Sequence, residues 1–563
     1  METIPQILEQ SVASFADRPA VRRCGEAGVS GCTYRQLGAK ALALAGRLVG
    51  EGARKGVHVA FLCENCPEWA FGYFAVHLTG AVLVPLDTHL KPAELRAILQ
   101  RDGAPLLIAS RAMMPLASQA AEGLPALRAA VLEDLLEGAS AGETDAPPQP
   151  VGCQVNGDDI AVISFTSGST AESKGIVLTH RNIAANAVAS GQRIPLGTGD
   201  RLVSILPLSH LFEQTAGLLT VVTYGCSVAY PGSLNPRTIL DAMVQTRATV
   251  VLLVPVVARL FQKRILSSVQ SGPAWKRRLF RACRALSRLG WGMGLPTGKV
   301  LFAKMHQAFG GSVRFFVSGG AALDSDLARF FMDLGLPVLQ GYGLAEAAPV
   351  VACNRTDDHV IGSVGRLLPG MEARIDPVES CGDGAGEILL RGPNVMVGYY
   401  QNPQATADVL QDGWLRTGDL GRLDRRGYLY VLGRIKDVII GESGKNIYPT
   451  EIEERICDSP FVREACVLGV TMRAREGHPD GARGPEEVAA LVVPDLEALG
   501  GQYLPPHEEV LRQEVRKACV HLADYKKPRY FAVWPGELPR TTTLKIKKHQ
   551  VRKDLGGIRL KPL

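Results

Sequence analysis

A chain of 563 residues, 46% apolar and 21% charged, is larger than one hydrophobic core can organise and is neither disordered nor fibrous, so at least two folded domains are expected. Its net charge of +6 is mild at this length and implies no nucleic-acid partner. The strongest uncharged apolar run, ATVVLLVPVVA at 248–258, is too short to span a membrane. The start METIPQILEQSVASFADRPAV is acidic and lacks a signal core, so a cytoplasmic protein is expected.

The first stretch alternates a helical pattern (YRQLGAKALALAGRLVGEG) with short apolar runs (HVAFLC, AVLVPL, PLLIAS), the rhythm of α/β layers with parallel strands. CENC at 63–66 has metal-like spacing but no partner pair. With the PEWAFGYFAVHLTGA that follows, it reads as the start of a core helix, and the twelve scattered cysteines as reduced, mostly buried thiols. Residues 137–159, rich in Gly, Ala, Pro and acid, read as a surface linker. IAVISF then forms a buried strand that leads straight into TSGSTAESKG at 166–175. Small residues let such a loop curl so that amides and hydroxyls converge on an anion. Thr166, Ser167, Ser169 and Thr170 supply donors, Gly168 the freedom, and Lys174 the positive charge. The pattern differs from the usual P-loop, since no glycine precedes Lys174 and no Ser or Thr follows it; a plain turn is the alternative.

A second βα series covers RLVSILPL, VVLLVP and RFFVSGG. Between Asp241 and Asp324 there is no acidic residue. Within that span, 275–294 interleaves Lys276, Arg277, Arg278, Arg281, Arg284 and Arg288 with Trp275, Leu279, Phe280, Leu286, Leu289 and Trp291, ending at Gly294. At helical spacing Arg277, Arg281, Arg284 and Arg288 share one face, as in a helix lying on an anionic membrane surface. A surface helix with its apolar side packed on the domain fits the pattern equally. From Gly386 short strands and turns follow (GEILLRG, GWLRTGDLGRLDRRGYLYVLGR), and a smaller α/β segment begins near Asp437.

Six stretches in order, TSGSTAESKG, LPLSHLFEQ (206–214), QGYGLAE (340–346), GWLRTGDLG (413–421), GRIKDVIIGESGKNIYPTEIE (433–453) and LPRTTTLKIKK (538–548), closely resemble the adenylate-forming superfamily of acyl-CoA synthetases. RFFVSGGAALDSDLARFF and GKNIYP are most similar to its long-chain fatty-acyl-CoA branch. The resemblance implies an α/β fold. A large N-terminal domain (1–433) would carry parallel sheets and a small β-barrel-like subdomain, a hinge would lie at 434–437, and a small mobile α+β domain would cover 438–563. It implies ATP, Mg2+ and coenzyme A. A fatty acid would attack the α-phosphorus of ATP, pyrophosphate would leave, and the acyl-adenylate would then pass to CoA.

Roles carry over residue by residue. The 166–174 loop would hold the outer phosphates, with Glu346 and Thr166 as the Mg2+ ligands. Gly319, Gly320, Ala321, Gln340, Gly341, Tyr342 and Gly343 would wall the adenine, although Tyr342 also reads as core. Asp419 and Arg434 would bind the ribose. Lys545 would stabilise charge developing in the adenylation step. Lys436 would be the hinge residue, and Lys445 belongs to the face used in thioester formation. His210 would stand at the mouth of the acyl pocket, or equally be a satisfied core histidine. Lys547 and Lys548 read as a solvated basic face.

The sequence departs from the family's pattern at Ala345, where threonine is usual, at Ala171 and Ser173 in the loop, and at Leu544 in place of glycine. YGLAE is also common in fatty-acyl-AMP ligases, which load an acyl carrier protein, so that activity is the runner-up. A lipid-binding protein that keeps the fold without turnover is a third reading. Peripheral contact with the inner face of a membrane, through 275–294, completes the expectations.

Overall fold

The structure is a computed structural model of the chain, and it describes all residues except 139–147, 167–173, 234, 379–383, 442–444, 472–485, 505 and 542–545, together with the side chains of 166 and 292. Two compact units result. The larger runs to residue 372 and takes in 390–415; the smaller comprises 373–389 and 416–563.

The larger unit is built on two sheets. The first has nine strands, with a parallel run of Ser227–Pro231, Arg201–Val203, Val250–Leu253, Phe315–Ser318 and Val338–Gly343 at its centre. The second has seven, with Leu106–Ala109, His58–Leu62, Val82–Leu86 and Ile160–Thr166 parallel to one another. These are continuous apolar runs rather than alternating ones, because helices cover both faces of a parallel sheet. Val82–Leu86, Leu106–Ala109 and Val250–Leu253 are buried at every residue. The helices Ile4–Phe15, Tyr34–Gly50 and His180–Arg193 open on threonines: Thr3, Thr33 and Thr179 each cap a free backbone N–H, with a side chain three residues on returning the bond.

The core helix expected after CENC is Pro67–Leu78, buried at every residue except Glu68. Trp69 and Tyr73 stack at 5.3 Å, and a Cβ at Gly72 would meet the Phe61 ring at 2.4 Å, so only glycine lets helix and sheet approach this closely. The Cys63 and Cys66 sulfurs lie 3.6 Å apart and buried, and that bond together with burial holds the Cys63 thiol well above its usual pKa. In RLVSILPL the strand stops at Val203. Beyond it Asn65 replaces a strand neighbour, donating to Leu206 O (2.6 Å) and accepting from Leu208 N (2.8 Å). The segment read as a surface linker is fastened wherever it is described. Glu137 ends the helix Leu132–Glu137, Pro148 is buried, Val151 donates to Leu78 O, and Lys55 holds Gln154 O and Asp159.

In the helix Ala274–Gly292 the leucines are not packed on the domain, as one sequence reading expected, and two of the four arginines expected on a shared basic face are engaged by the fold. Arg284, part-buried, and Arg288, still 62% exposed, both reach within 2.8 Å of the buried Asp333 carboxylate, while Phe280 packs on the core and Trp275, Leu279, Leu286 and Leu289 face solvent. The outermost position thus falls to the leucines and not to all the arginines, because a buried carboxylate demands cations. Among the described residues no helix is long and apolar enough to cross a membrane.

In the smaller unit Glu487–Pro494 is the middle of a four-stranded mixed sheet, antiparallel to Val462–Val470 and parallel to Tyr530–Val533, with Lys561–Pro562 at the edge. Its side chains alternate between two cores. Val488, Ala490 and Val492 meet the helices Pro449–Cys457 and Pro506–Ala518, and Leu491 and Val493 meet Lys548–Asp554. This is the α+β arrangement expected. Lys548 is not on a solvated face. Its ammonium is 2.8 Å from Glu453, whose carboxylate also accepts from Val467 N. Burial alone would lower the Lys548 pKa, but Glu453 outweighs it and the net displacement is upward.

Candidate active site

In the larger unit the sequence-predicted residues gather at the carboxyl ends of parallel strands, the place where open α/β sheets bind ligands. Ser318 and Gln340 are register partners on neighbouring parallel strands, so the turn at Gly319, Gly320 and Ala321 lies beside the end of Val338–Gly343. Gly320 has φ +82°, which favours glycine. A Cβ at Gly319 would lie 2.9 Å from the Phe212 ring, so the LPLSHLFEQ segment fits against this turn only because the side chain is missing. A Cβ on Gly343 would likewise collide with Pro349 O. Gln340 O accepts from Asn354 N, Gly341 pairs with Cys353, and Tyr342 with Ala352, which fixes the turn that follows.

That turn, Ala345–Ala347, carries Glu346 part-exposed, and its Oε1 accepts a 3.0 Å hydrogen bond from the Tyr399 hydroxyl. Strand Gly398–Tyr399 pairs with Lys174–Thr179, so Tyr399 also comes beneath Lys174, whose Nζ is 4.8 Å from its ring centre. Lys174 in turn is the register partner of Thr166. A cation, a carboxylate and a phenol are thereby held together where the loop strand ends. Tyr399 has no signature in sequence; only the pairing of two distant strands places it here. A lone oxygen ligand beside a phenol suits a hard ion such as Mg2+, which keeps most of its shell for water and phosphate. Among the described residues no cluster of three or more His, Cys, Asp or Glu side chains could hold a metal by itself.

His210 is neither isolated nor a plain core residue. Its Nε2 is 3.0 Å from Asp87 Oδ2, and His89 Nδ1 is 3.1 Å from Asp87 Oδ1. Asp87 is buried directly after strand Val82–Leu86, so this pair ties the LPLSHLFEQ segment to the end of that strand. Three residues on, Glu213 is 1% exposed in a wide helical turn, Glu213–Leu219. Burial pushes its carboxyl up to about 8, only partly offset by Ser204, and its Oε2 has no hydrogen-bond partner among the described residues.

In the smaller unit Asp419 and Arg434 are register partners on the hairpin Trp414–Leu423 and Leu429–Arg434, with Arg434 Nε 3.2 Å from the Asp419 carboxylate. The turn before Asp419 is latched by Glu387, which accepts from Gly418 N (3.0 Å) and pairs with Arg416, while Thr417 donates to Ile388 O (2.7 Å). Gly418 has φ +69°. Glu387 is a second residue that sequence reasoning passed over, since GEILLRG reads only as a strand. Lys436 is exposed in the turn Ile435–Asp437, and Lys445 lies 4.7 Å from the Tyr525 ring centre. Ser167, Gly168, Ser169, Thr170 and Lys545, with the Thr166 side chain, fall outside the described residues.

The sequence pattern of the AMP-binding enzyme family matches residues 8–400, and that of the AMP-binding enzyme C-terminal domain matches 451–545. The chain belongs to the AMP-binding enzymes. It is 32% identical over 550 residues to a feruloyl-CoA synthase of an Amycolatopsis species, covering 95% of this chain and 96% of that one. It is 31% identical over 451 residues to the long-chain-fatty-acid–CoA ligase FadD15 of Mycobacterium bovis, covering 75% and 72%. The crystal structure of ATP-bound MatB from Rhodopseudomonas palustris superposes with a TM-score of 0.75 at 28% identity, over 98% of this chain and 99% of that one. Like its relatives, this AMP-binding enzyme is an adenylate-forming acid–CoA ligase that uses ATP, Mg2+ and coenzyme A. The α/β fold expected from sequence, with a large N-terminal part and a small C-terminal one, is that of the family.

Proposed function

We propose that the carboxylic acid activated here is a long-chain fatty acid, converted through its acyl-adenylate to the CoA thioester. The observation that carries the reading is the gathering of Lys174, Tyr399 and Glu346 at the end of the loop strand, an anion-binding and cation-binding pair suited to drawing pyrophosphate from ATP. The kinship with a long-chain ligase and the GKNIYP segment favour the long chain. The carboxylate oxygen bonds to the α-phosphorus as the bond to the β-phosphate oxygen breaks. The CoA sulfur then bonds to the acyl carbon as AMP leaves.

Within this reading Lys174 and the 166–170 loop bind the outer phosphates. Glu346 and Thr166 would hold Mg2+, and its charge would offset the repulsion between two anions. Gly319 to Ala321 and Gln340 to Gly343 flank the adenine, and Asp419 and Arg434 take the ribose. His210, oriented by Asp87, faces the carboxylate end of the acyl group. Lys545 stabilises the charge of adenylation, Lys436 serves the hinge at 434–437 between domains 1–433 and 438–563, and Lys445 serves the thioester step. A second reading, an aromatic acid such as ferulate, is favoured by the kinship with feruloyl-CoA synthase over nearly the whole chain.

The test is ATP–pyrophosphate exchange with palmitate, octanoate and ferulate, followed by thioester formation with CoA or a carrier protein. Exchange should be fastest with palmitate, require Mg2+, and fall at least a hundredfold in Lys545→Ala. Thioester formation from presynthesised acyl-adenylate should survive in that variant. Faster turnover of ferulate assigns the aromatic reading, transfer to the carrier protein alone assigns the acyl-AMP ligase reading, and no exchange with any acid refutes catalysis.

A further inference from the structure

The helix Ala274–Gly292 carries a feature that the ligase chemistry does not use. Its inward side combines apolar packing, through Phe280 and Cys283, with ion pairing to Asp333. Arg284 and Arg288, one turn apart, both hold the buried Asp333, Arg284 lies 4.9 Å from the Phe330 ring centre, and Phe280 meets Phe302 edge-on at 5.5 Å. Trp275, Leu279, Ala282, Leu286 and Leu289 recur at intervals of three and four, so they form one stripe along the helix. All five are exposed, Trp275 at 60% and Leu289 at 65%, and Met293, Leu295 and Val300 extend the apolar surface beyond its end. An ordinary surface helix buries such a stripe and shows its arginines. Here the stripe faces outward, while Arg284 and Arg288 are held by Asp333.

Exposed beside the stripe are Lys276, Arg277, Arg278 and Arg281. No acidic residue occurs from 242 to 323, so nothing on this segment neutralises them. We propose that this helix docks on an anionic lipid surface, with Trp275, Leu279, Leu286 and Leu289 entering the headgroup–acyl boundary and Lys276, Arg277, Arg278 and Arg281 meeting lipid phosphates. A second copy of the chain would also cover an apolar stripe, but it would bring two uncompensated arginine clusters together. A bilayer of negative charge satisfies both halves of the surface. Arg284 and Arg288 play no part in the contact; they hold the helix to the domain so that the stripe stays outward.

The experiment is co-sedimentation of the full chain with phosphatidylglycerol or phosphatidylcholine vesicles, at low and high salt, with sedimentation velocity run alongside. Two variants keep the Asp333 anchor: Leu279→Ser with Leu286→Ser and Leu289→Ser, and Arg277→Gln with Arg278→Gln and Arg281→Gln. Wild type should bind phosphatidylglycerol vesicles, lose affinity in salt, and ignore phosphatidylcholine. Each triple variant should bind at least tenfold more weakly, with unchanged turnover of octanoate or whichever soluble acid is accepted. Failure of wild type to bind, variants that bind as well as wild type, or a dimer dispersed by the leucine variant without vesicle binding would each overturn the proposal.

Discussion

Glu213→Gln is the substitution whose effect the structure specifies most fully. The side chain is buried in the wide turn Glu213–Leu219, and Gly217 leaves room for it, since a Cβ there would lie 2.2 Å from Oε1. Among the described residues the Tyr230 hydroxyl, also buried, has no hydrogen-bond partner, and Ser204 favours the carboxylate. Burial raises the carboxyl from 4.5 to about 8. Because the folded value lies above the unfolded one, the native state keeps a proton that the unfolded chain has released. The resulting stability is complete below pH 4.5 and is lost as pH rises through 8. Each unit between these limits is worth about 1.4 kcal/mol, so from pH 5.5 to 7.5 the wild type should lose about 2.5 kcal/mol that the neutral glutamine does not. Urea unfolding of both proteins, followed by tryptophan fluorescence across this range, reads the difference directly, as all other groups titrate equally in both. Parallel pH profiles would refute the reasoning and mean that Glu213 is ionised in the fold.

Three further outcomes are expected. Tyr399→Phe removes the hydroxyl that Glu346 accepts from, at a site where water can replace it, so about 1.4 kcal/mol or less is lost. Pyrophosphate exchange should fall up to tenfold at limiting Mg2+ and recover with excess Mg2+. Glu387→Ala unlatches the turn before Asp419, and the KM for ATP should rise several-fold with little change in kcat, as measured by initial rates. Lys548→Met strands the Glu453 carboxylate in the smaller unit. Both partners of this pair are 16% exposed, and breaking it should cost about 2–4 kcal/mol in thermal unfolding. Adding Glu453→Gln should restore most of that loss; a stable single variant would show that the pair contributes nothing.

Much of the fold was legible because its signals are local. HVAFLC, AVLVPL, PLLIAS and IAVISF became strands since each is a continuous apolar run that only a doubly covered sheet accommodates, and PEWAFGYFAVHL is apolar all round because it is buried all round. Glu346, Asp419 and Arg434 were legible from motifs, and the structure adds the pairing of Asp419 with Arg434 across a hairpin. Their partners were not. Tyr399 reaches Glu346, Asp87 reaches His210, and Glu387 latches the Asp419 turn across 31 to 123 residues of chain, and spacing along a chain carries no record of such contacts.

The sequence by itself determined the order of elements, since periodicity and local turns act over a few residues, and its six ordered motifs carried the resemblance to the family and to the residue types at the candidate site. Which way each charge faces was decided only in three dimensions. Lys548 turned in because Glu453 was there to meet it, and Arg284 turned in because Asp333 lay buried beside its helix. A charge is buried only where a partner from elsewhere in the chain repays its lost hydration, and that partner exists only once the chain has folded.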